Sequence, residues 1–410
     1  MFRKILICNY FFIITIFFNI LLFSQTTENH FESEIKSTNG NLLIPFVTAF
    51  PLSGSFAAIG KQLLNGEKLY LRQEPKTNIT LIHKKNVDIF ELSNISKETF
   101  ESELGANSIV VGAFNLKTLF ALLPMIEQNK IFMLFPADGT TIFRQKKFKN
   151  LLYFRPPYEY ELEALVKYIL KKKTKKNISI FYESSLRGEN IVTTLEKILE
   201  QNNLRLLAKA AYPEETVSID EATKLIVKSN PNVVFCIATP KATYHFIQQC
   251  INHGLTQALF LGLSSAQIIQ QLLKESRGID IVVSSFLPNP ETSKAKIADK
   301  YRKASLQFLR DIPFSPFYFE GFLCMEVLKK CLYKIQGTFT INKMIKALKD
   351  FFYKDVDNIV LRYNKTTRSI SQQIWINPGI QKKWIKSSQK QTSPRNKNYP
   401  NKQATSPLSQ

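Results

Sequence analysis

Acidic residues, cysteine and histidine are all in short supply, and each shortage narrows the function. The chain has 33 Asp and Glu against 55 Lys and Arg, a formal net charge of +22. That excess raises nucleic-acid binding as a reading. The placement of the charge argues against it. The basic residues are scattered through amphipathic helices, apart from one cluster at Lys171 to Lys176 and another in the tail. A KKKTKK run ahead of a strand reads as a solvated helix end, where Lys also suits the helix dipole. A basic surface also suits anionic lipid or a cell-wall polymer.

The five cysteines are Cys8, Cys236, Cys250, Cys324 and Cys331. Cys324 and Cys331 lie about two turns, or roughly 10 Å, apart on a predicted helix. That is too far for a disulfide between them. The four cysteines beyond Cys8 read as buried thiols, and their spacing fits no zinc site. The four histidines are His30, His83, His245 and His253. His245 and His253 share a helix at a spacing that suits neither a metal nor a base–nucleophile pair. There is no G-x-S-x-G and no Walker-type loop. No catalytic or metal-ligating residue is assigned, no cofactor is expected, and binding is the natural reading.

Long apolar runs are lacking after the first. Arg3 and Lys4 precede Ile5 to Phe23, which ends near Ser24-Gln25. Residues 1–24 read as a secretory signal peptide, with an uncleaved membrane anchor as the rival on length. Asn9 and Asn19 weaken the anchor, and the absence of a following Cys leaves lipid attachment unsupported. The chain is expected in the periplasm or cell envelope, free or held by this segment.

The rest is rich in core-forming residues, 44% hydrophobic over 410 residues, enough for two or three domains. It is organised around Leu42 to Gln73. Leu42 to Val47 reads as a buried strand, Pro51 to Gly54 as a turn, and Phe56, Ile59, Leu63 and Tyr70 follow at helical spacing. Free N–H groups at that helix start, beside Ser53 and Ser55, suit an anion. A plain βα connection with a serine cap is the alternative.

The same rhythm continues. Strands are predicted at Asn78 to His83, Ser108 to Gly112 and Ile131 to Phe135. Helices are predicted at Ser96 to Leu104 and Leu116 to Asn129. Further strands at 177–181, 204–211, 258–262 and 281–284, with a strand and turn in PNVVFCIATP at 231–240, alternate with helices at 159–171, 190–201, 220–229 and 242–254. Ile359 to Tyr363 and Gln373 to Ile376 read as a closing hairpin around RYNKTTR. Alternation of this kind predicts α/β architecture, with parallel sheets covered by helices on both faces. From Ser387 the composition turns to Ser, Pro, Gln, Asn and Lys, so 387–410 is expected to be a disordered basic tail.

PLSGSFAAIG with LLNGEKLYL, SIVVG, IFMLFPADGTT, FRPP and QQCINHGL, in that order, resemble the type I periplasmic binding proteins. These are the leucine/isoleucine/valine-binding family of solute receptors. The resemblance spans Leu42 to Lys386. It implies two Rossmann-like lobes joined by a hinge. The first would hold 41–157 plus about 285–340, the second 158–284 plus about 341–386. It implies capture of a small molecule, such as an amino acid, an amide or a related polar or anionic solute. It also implies delivery to the permease subunits of an ABC importer, with no nucleic-acid partner and membrane contact only through the N-terminal segment. A ligand-sensing, regulatory or scaffolding module of the same fold, such as an activator of an envelope enzyme, is the alternative.

The resemblance places ligand contacts at Ser53, Gly54 and Ser55, the turn Asn115 to Thr118, and Asp138, Gly139 and Thr140. In the second lobe it points to Glu183 to Arg187, Thr239 and Ser264. Asp138 also stands where open α/β sheets bind ligands, with an Asx-turn or helix cap as its other reading. The amino-acid signature is altered. Leu116 and Lys117 replace small hydroxyl residues, Arg187 replaces an aromatic, and Ser264 replaces the acid that meets a ligand ammonium. Arg187 and Lys117 together make an anionic ligand one expectation, and a cleft that has lost its original ligand another. Glu214 and Glu215, in a turn, read as solvated surface.

Overall fold

The structure is a computed structural model that describes residues 37–38, 41–73, 78–88, 108–113, 116–146, 148–172, 176–310, 312–336, 340–356, 359–379 and 382–387. The N-terminal apolar run, the predicted 96–104 helix, Asn115 and residues 388–410 lie outside the described residues.

Two parallel sheets share one strand order. The first lobe contains β1 (Asn41–Ala49), α1 (Ala57–Gln73), β2 (Ile79–Asn86), β3 (Ser108–Gly112), α2 (Leu116–Glu127), β4 (Ile131–Leu134) and β5 (Leu151–Leu152). Its parallel strands run β2-β1-β3-β4-β5, and Ser37–Thr38 lies antiparallel at the start of β1. The second lobe contains α3 (Tyr158–Leu170), β6 (Ile178–Ser184), α4 (Leu186–Glu200), β7 (Leu206–Pro213) and α5 (Asp220–Ser229). It continues with β8 (Val233–Ile237), α6 (Pro240–Asn252), β9 (Leu259–Gly262), α7 (Gln270–Arg277) and β10 (Ile281–Ser285). Its parallel strands run β7-β6-β8-β9-β10. Each sheet therefore reverses its order once, between β1 and β3 and between β6 and β8. A crevice forms at the carboxyl ends of strands at such a reversal.

Residue choice explains the strands. β8 is VVFCI and is buried at every position, the continuous apolar run of a strand covered on both faces. Pro45 lies inside β1, where a missing N–H is normally excluded. It is tolerated because β3 pairs only with Val47 to Ala49, so Pro45 falls in a stretch that β2 alone flanks.

The chain then returns to the first lobe. Helices α8 (Lys296–Phe308) and α9 (Pro316–Leu332) pack on α1, and α10 (Ile341–Lys349) packs on α9. Nearly every residue of α9 is buried, Glu320, Glu326 and Lys329 among them. Strands β11 (Phe352–Lys354), β12 (Val360–Asn364) and β13 (Ser369–Ser371) make a small antiparallel sheet. β14 (Trp375–Asn377) and β15 (Ile385–Lys386) then extend the second sheet antiparallel beyond β10. The hairpin around RYNKTTR forms, with Arg368 at a φ of 56°. Its second strand, however, is Ser369–Ser371. Trp375–Asn377 pairs with β10 instead, where all three of its residues are buried. Cys236, Cys250, Cys324 and Cys331 are free and buried.

Three segments link the lobes side by side. Ile370 N donates to Tyr153 O at 3.1 Å and Ser371 N to Phe154 O at 2.9 Å. The Ser371 hydroxyl donates to Phe286 O at 2.9 Å. Beneath them Arg155, 1% exposed, makes a bidentate pair with Glu320 of α9 at 2.6 and 2.7 Å. Arg144 stacks 3.7 Å over Tyr153 and donates to the carbonyls of Thr140, Thr367, Asp138 and Arg155.

The α1–α9 contact also buries Glu67, whose Oε2 has no hydrogen-bond partner among the described residues. Burial pushes its carboxyl well above the ordinary range, and the nearby Glu320 adds to this against a smaller opposing pull from Lys68. A group whose folded pKa is raised contributes fully below the unfolded value, about 4.3, and loses that contribution as pH rises through the folded pKa. Glu67→Gln should therefore be more heat-stable than wild type near pH 8, with the margin shrinking toward pH 4. Equal margins in melts at both pH values would contradict this assignment.

Candidate functional site

The carboxyl ends of both sheets face each other across one cleft. From the first lobe, Pro51, Ser53, Ser55 and Phe56 follow β1, and Leu116, Lys117 and Phe120 follow β3. From the second, Glu183 to Arg187 lie at the end of β6, Glu214 and Glu215 follow β7, and Thr239 follows β8 (of 183–187, residue 184 alone is not on the wall). The cleft, open to solvent on one side, has a volume of about 160 Å³, and its wall is mostly apolar.

The first-lobe rim is a βα turn that has moved its serine elsewhere. Gly54 takes a φ of 69°, and Ala57 N donates to its carbonyl at 3.2 Å. Ser53 donates its hydroxyl to Asp88 at 2.8 Å rather than capping α1. An acid beside Ser53 makes this helix start a poor anion site. Gly60 and Gly66 have packing roles. A Cβ at Gly60 would collide with the Pro51 carbonyl, and one at Gly66 with the Tyr318 carbonyl.

The second-lobe rim is more ordered. Ser185 caps α4, accepting from Gly188 N at 3.2 Å while donating to Glu183 at 3.2 Å. This cap starts the helix at Leu186, four residues before the sequence-predicted start at Asn190, and puts Arg187 in its first turn. Tyr212 donates to Glu183 at 3.5 Å and accepts from Thr239 N at 3.1 Å. Burial first, then the charge of Glu183, pushes the Tyr212 hydroxyl up to about 12. Thr239 caps α6.

Arg187 is half-buried in the cleft, 6.0 Å over Phe56 and 5.3 Å over Tyr158. Burial disfavours its charge, but Tyr158, Asp138 and Glu183 outweigh that and hold its pKa above the ordinary value. Lys117 spans the cleft mouth to Glu214 at 3.2 Å and Glu215 at 2.6 Å. The bond to Glu215 is the main cause that raises the Lys117 pKa. Glu214 and Glu215 are thus cleft residues, not merely solvated surface. The turn that follows β7, with Glu215 at a φ of 62°, aims them at the other lobe. With Lys117 occupied in this way, the wall carries three carboxylates and one further cation, Arg187. Net charge does not favour an anion.

Ser53, Ser55, Arg187 and Thr239 therefore stand on the cleft wall, with Gly54 in the turn between the serines. The other candidates stand behind it. Asp138 is buried, and one carboxylate oxygen accepts from both the backbone N–H of Thr140, at 3.0 Å, and its hydroxyl. That is an Asx turn, although the second oxygen has no partner among the described residues. Gly139 lies against the Tyr158 ring, too close for any side chain. Thr118 is buried on the core side of α2. Ser264 is 1% exposed and gives its N–H and hydroxyl to Glu161 of α3 at 2.8 and 3.1 Å. Among the described residues no group of His, Cys, Asp and Glu could hold a metal ion.

The family model described as "Periplasmic binding protein" matches residues 106–377. The chain belongs to the type I periplasmic binding protein family. Solved relatives carry the same two-lobed fold at low identity. A possible leucine/isoleucine/valine-binding protein from Rhodopirellula baltica is 19% identical, with a TM-score of 0.72 over 84% of this chain and 96% of that one. A substrate-binding periplasmic protein from Ralstonia solanacearum is 20% identical, with a TM-score of 0.70 over 84% and 99%. A solute-binding protein of an ABC transporter from R. palustris, in complex with benzoate, is 14% identical, with a TM-score of 0.71 over 84% and 95%. No curated protein matches the sequence significantly. This periplasmic binding protein is a binder and not an enzyme.

Proposed function

We propose that this protein is an exported solute-binding component that captures a small molecule between its lobes and delivers it to an ABC importer. The observation that carries this reading is the cleft itself, built from the strand ends of both sheets at their points of reversal. Pro51, Phe56, Leu116, Phe120 and Leu186 would pack an apolar ligand body. Arg187 would donate to an acceptor on its polar head, and Glu183 would take a donor. Amino acids and amides with apolar side chains fit that pair of opposite signs better than a simple anion does.

A regulatory module of the same fold is the second reading. It is favoured by the Lys117 pair with Glu214 and Glu215, which joins the lobes through protein side chains alone.

A thermal-shift screen with amino acids, amides, aromatic acids and sugars separates the two. A cargo at a hundred times its Kd adds about 2.7 kcal/mol. We expect at least one hit, weakened about tenfold or more in Arg187→Gln and abolished in Leu116→Trp. No shift from any compound, with folded protein, would favour the regulatory module.

A further inference from the structure

A short ionic contact crosses the mouth of the cleft. Lys117 stands in the first turn of α2, and Glu214 and Glu215 stand in the turn after β7. The Lys117 ammonium lies 2.6 Å from Glu215 and 3.2 Å from Glu214. We propose that this contact is a reversible strap that sets how readily the two lobes part, and so regulates entry to the cleft.

Three observations carry it. The first is reach. Lys117 and Glu215 are 98 positions apart and line opposite walls. The nearby pairs Lys209–Glu196 and Lys224–Glu221 stay within the second lobe. The second is presentation. Glu215 holds a φ of 62°, a region that residues with a side chain seldom occupy. Such a backbone persists where its surroundings fix it. Here Thr216 braces the turn, donating its hydroxyl to the Pro213 carbonyl at 2.8 Å and accepting from Ser218 N at 3.3 Å. The third is exposure. The Lys117, Glu214 and Glu215 side chains are 51%, 35% and 64% exposed. Water and salt screen such a contact, so its net worth is small. A buried pair would weld the lobes together, whereas this one can break and re-form. Arg187, 6.0 Å over the Phe56 ring, adds a contact across the same gap. A solute that binds one of two states is held in proportion to the population of that state. That consequence rests on the solute-binding reading; the strap itself does not.

Thiol alkylation measures the opening directly. Thr239 is buried on the cleft wall, so Thr239→Cys in the full chain places a thiol that a bulky poly(ethylene glycol) maleimide reaches only through an open mouth. Cys236, Cys250, Cys324 and Cys331 are buried, and the chain without the reporter gives the background. In the reporter chain, Lys117→Glu should speed alkylation by about fivefold or more. The new negative charge would by itself disfavour the thiolate and slow the reaction, so a faster rate has the sign of opening. Adding Glu214→Lys and Glu215→Lys to Lys117→Glu restores the attraction with its signs exchanged and should return the rate to within about twofold of the parent. The control Lys224→Glu makes the same charge change on a pair that stays within one lobe, and should alter the rate by less than about twofold. Added salt should speed the parent and leave Lys117→Gln unchanged. An unaltered rate in Lys117→Glu, with circular dichroism showing folded protein, overturns the proposal. So does a charge-exchanged variant that stays fast, an equal acceleration in the control, or a parent rate indifferent to salt. No cargo enters this assay. A negative thermal-shift screen therefore leaves the strap standing, and an unaltered alkylation rate leaves the solute-binding reading standing.

Discussion

Arg155→Ala is expected to destabilise the fold by about 3–5 kcal/mol, because it strands the buried charge of Glu320. Both partners are almost completely enclosed, at 2% and 4% side-chain exposure. Arg155 also lies 4.9 Å over the Phe286 ring and donates to the Ala137 carbonyl at 3.3 Å. It thereby ties two of the crossing segments to α9. Removing both charges together should cost far less, since an apolar pair of similar volume replaces a buried ion pair at little penalty. Arg155→Met with Glu320→Leu is therefore expected to recover most of the loss. Chemical denaturation of the two single variants and the double variant checks this. A loss below about 1 kcal/mol for Arg155→Ala would show that the pair does not hold the crossing.

Gly321→Ala should also destabilise, by about 1–3 kcal/mol or more, and here the sign decides between two effects. Gly321 lies inside α9, where replacement by alanine ordinarily gains about 1 kcal/mol of helix propensity. A Cβ at this position, however, would collide with the Leu63 carbonyl of α1. The neighbour is backbone and cannot rotate away. Gly66 makes the reciprocal approach, against the Tyr318 carbonyl. The two helices meet at two glycines, and Ala at either should force them apart. If Gly321→Ala melts higher than wild type, the close crossing is wrong. Isothermal denaturation of the variant, with far-UV circular dichroism to confirm its helix content, gives the sign directly.

Most of the fold was legible because its signals are local. VVFCI and SIVVG announce buried strands through unbroken apolar runs, and PLSG and FRPP announce turns through residues that restrict the backbone. Of the candidates that the family resemblance picked out, Ser53, Ser55, Arg187 and Thr239 line the cleft, and each follows a strand end at a reversal. Glu214 and Glu215 follow β7, the edge strand beside the reversal, so a rule of strand ends at a reversal does not reach them. Reading them as a solvated turn overlooked the opposite lobe, whose Lys117 is 98 positions away from Glu215.

The order of elements, the α/β class and the buried state of the cysteines are written in apolar periodicity and in Gly and Pro placement, whereas the two lobes were what the family resemblance implied. These depend on a residue's neighbours within a turn or a strand. Tertiary structure alone decided which surfaces meet. It gave Trp375–Asn377 to β10 in place of a hairpin and spent Ser264 on Glu161. It also buried Glu67 beside Glu320. Such pairings rest on contacts between residues far apart in the chain. There a strand edge or a carboxylate takes the partner that packing leaves within reach, and no local pattern records which one that is.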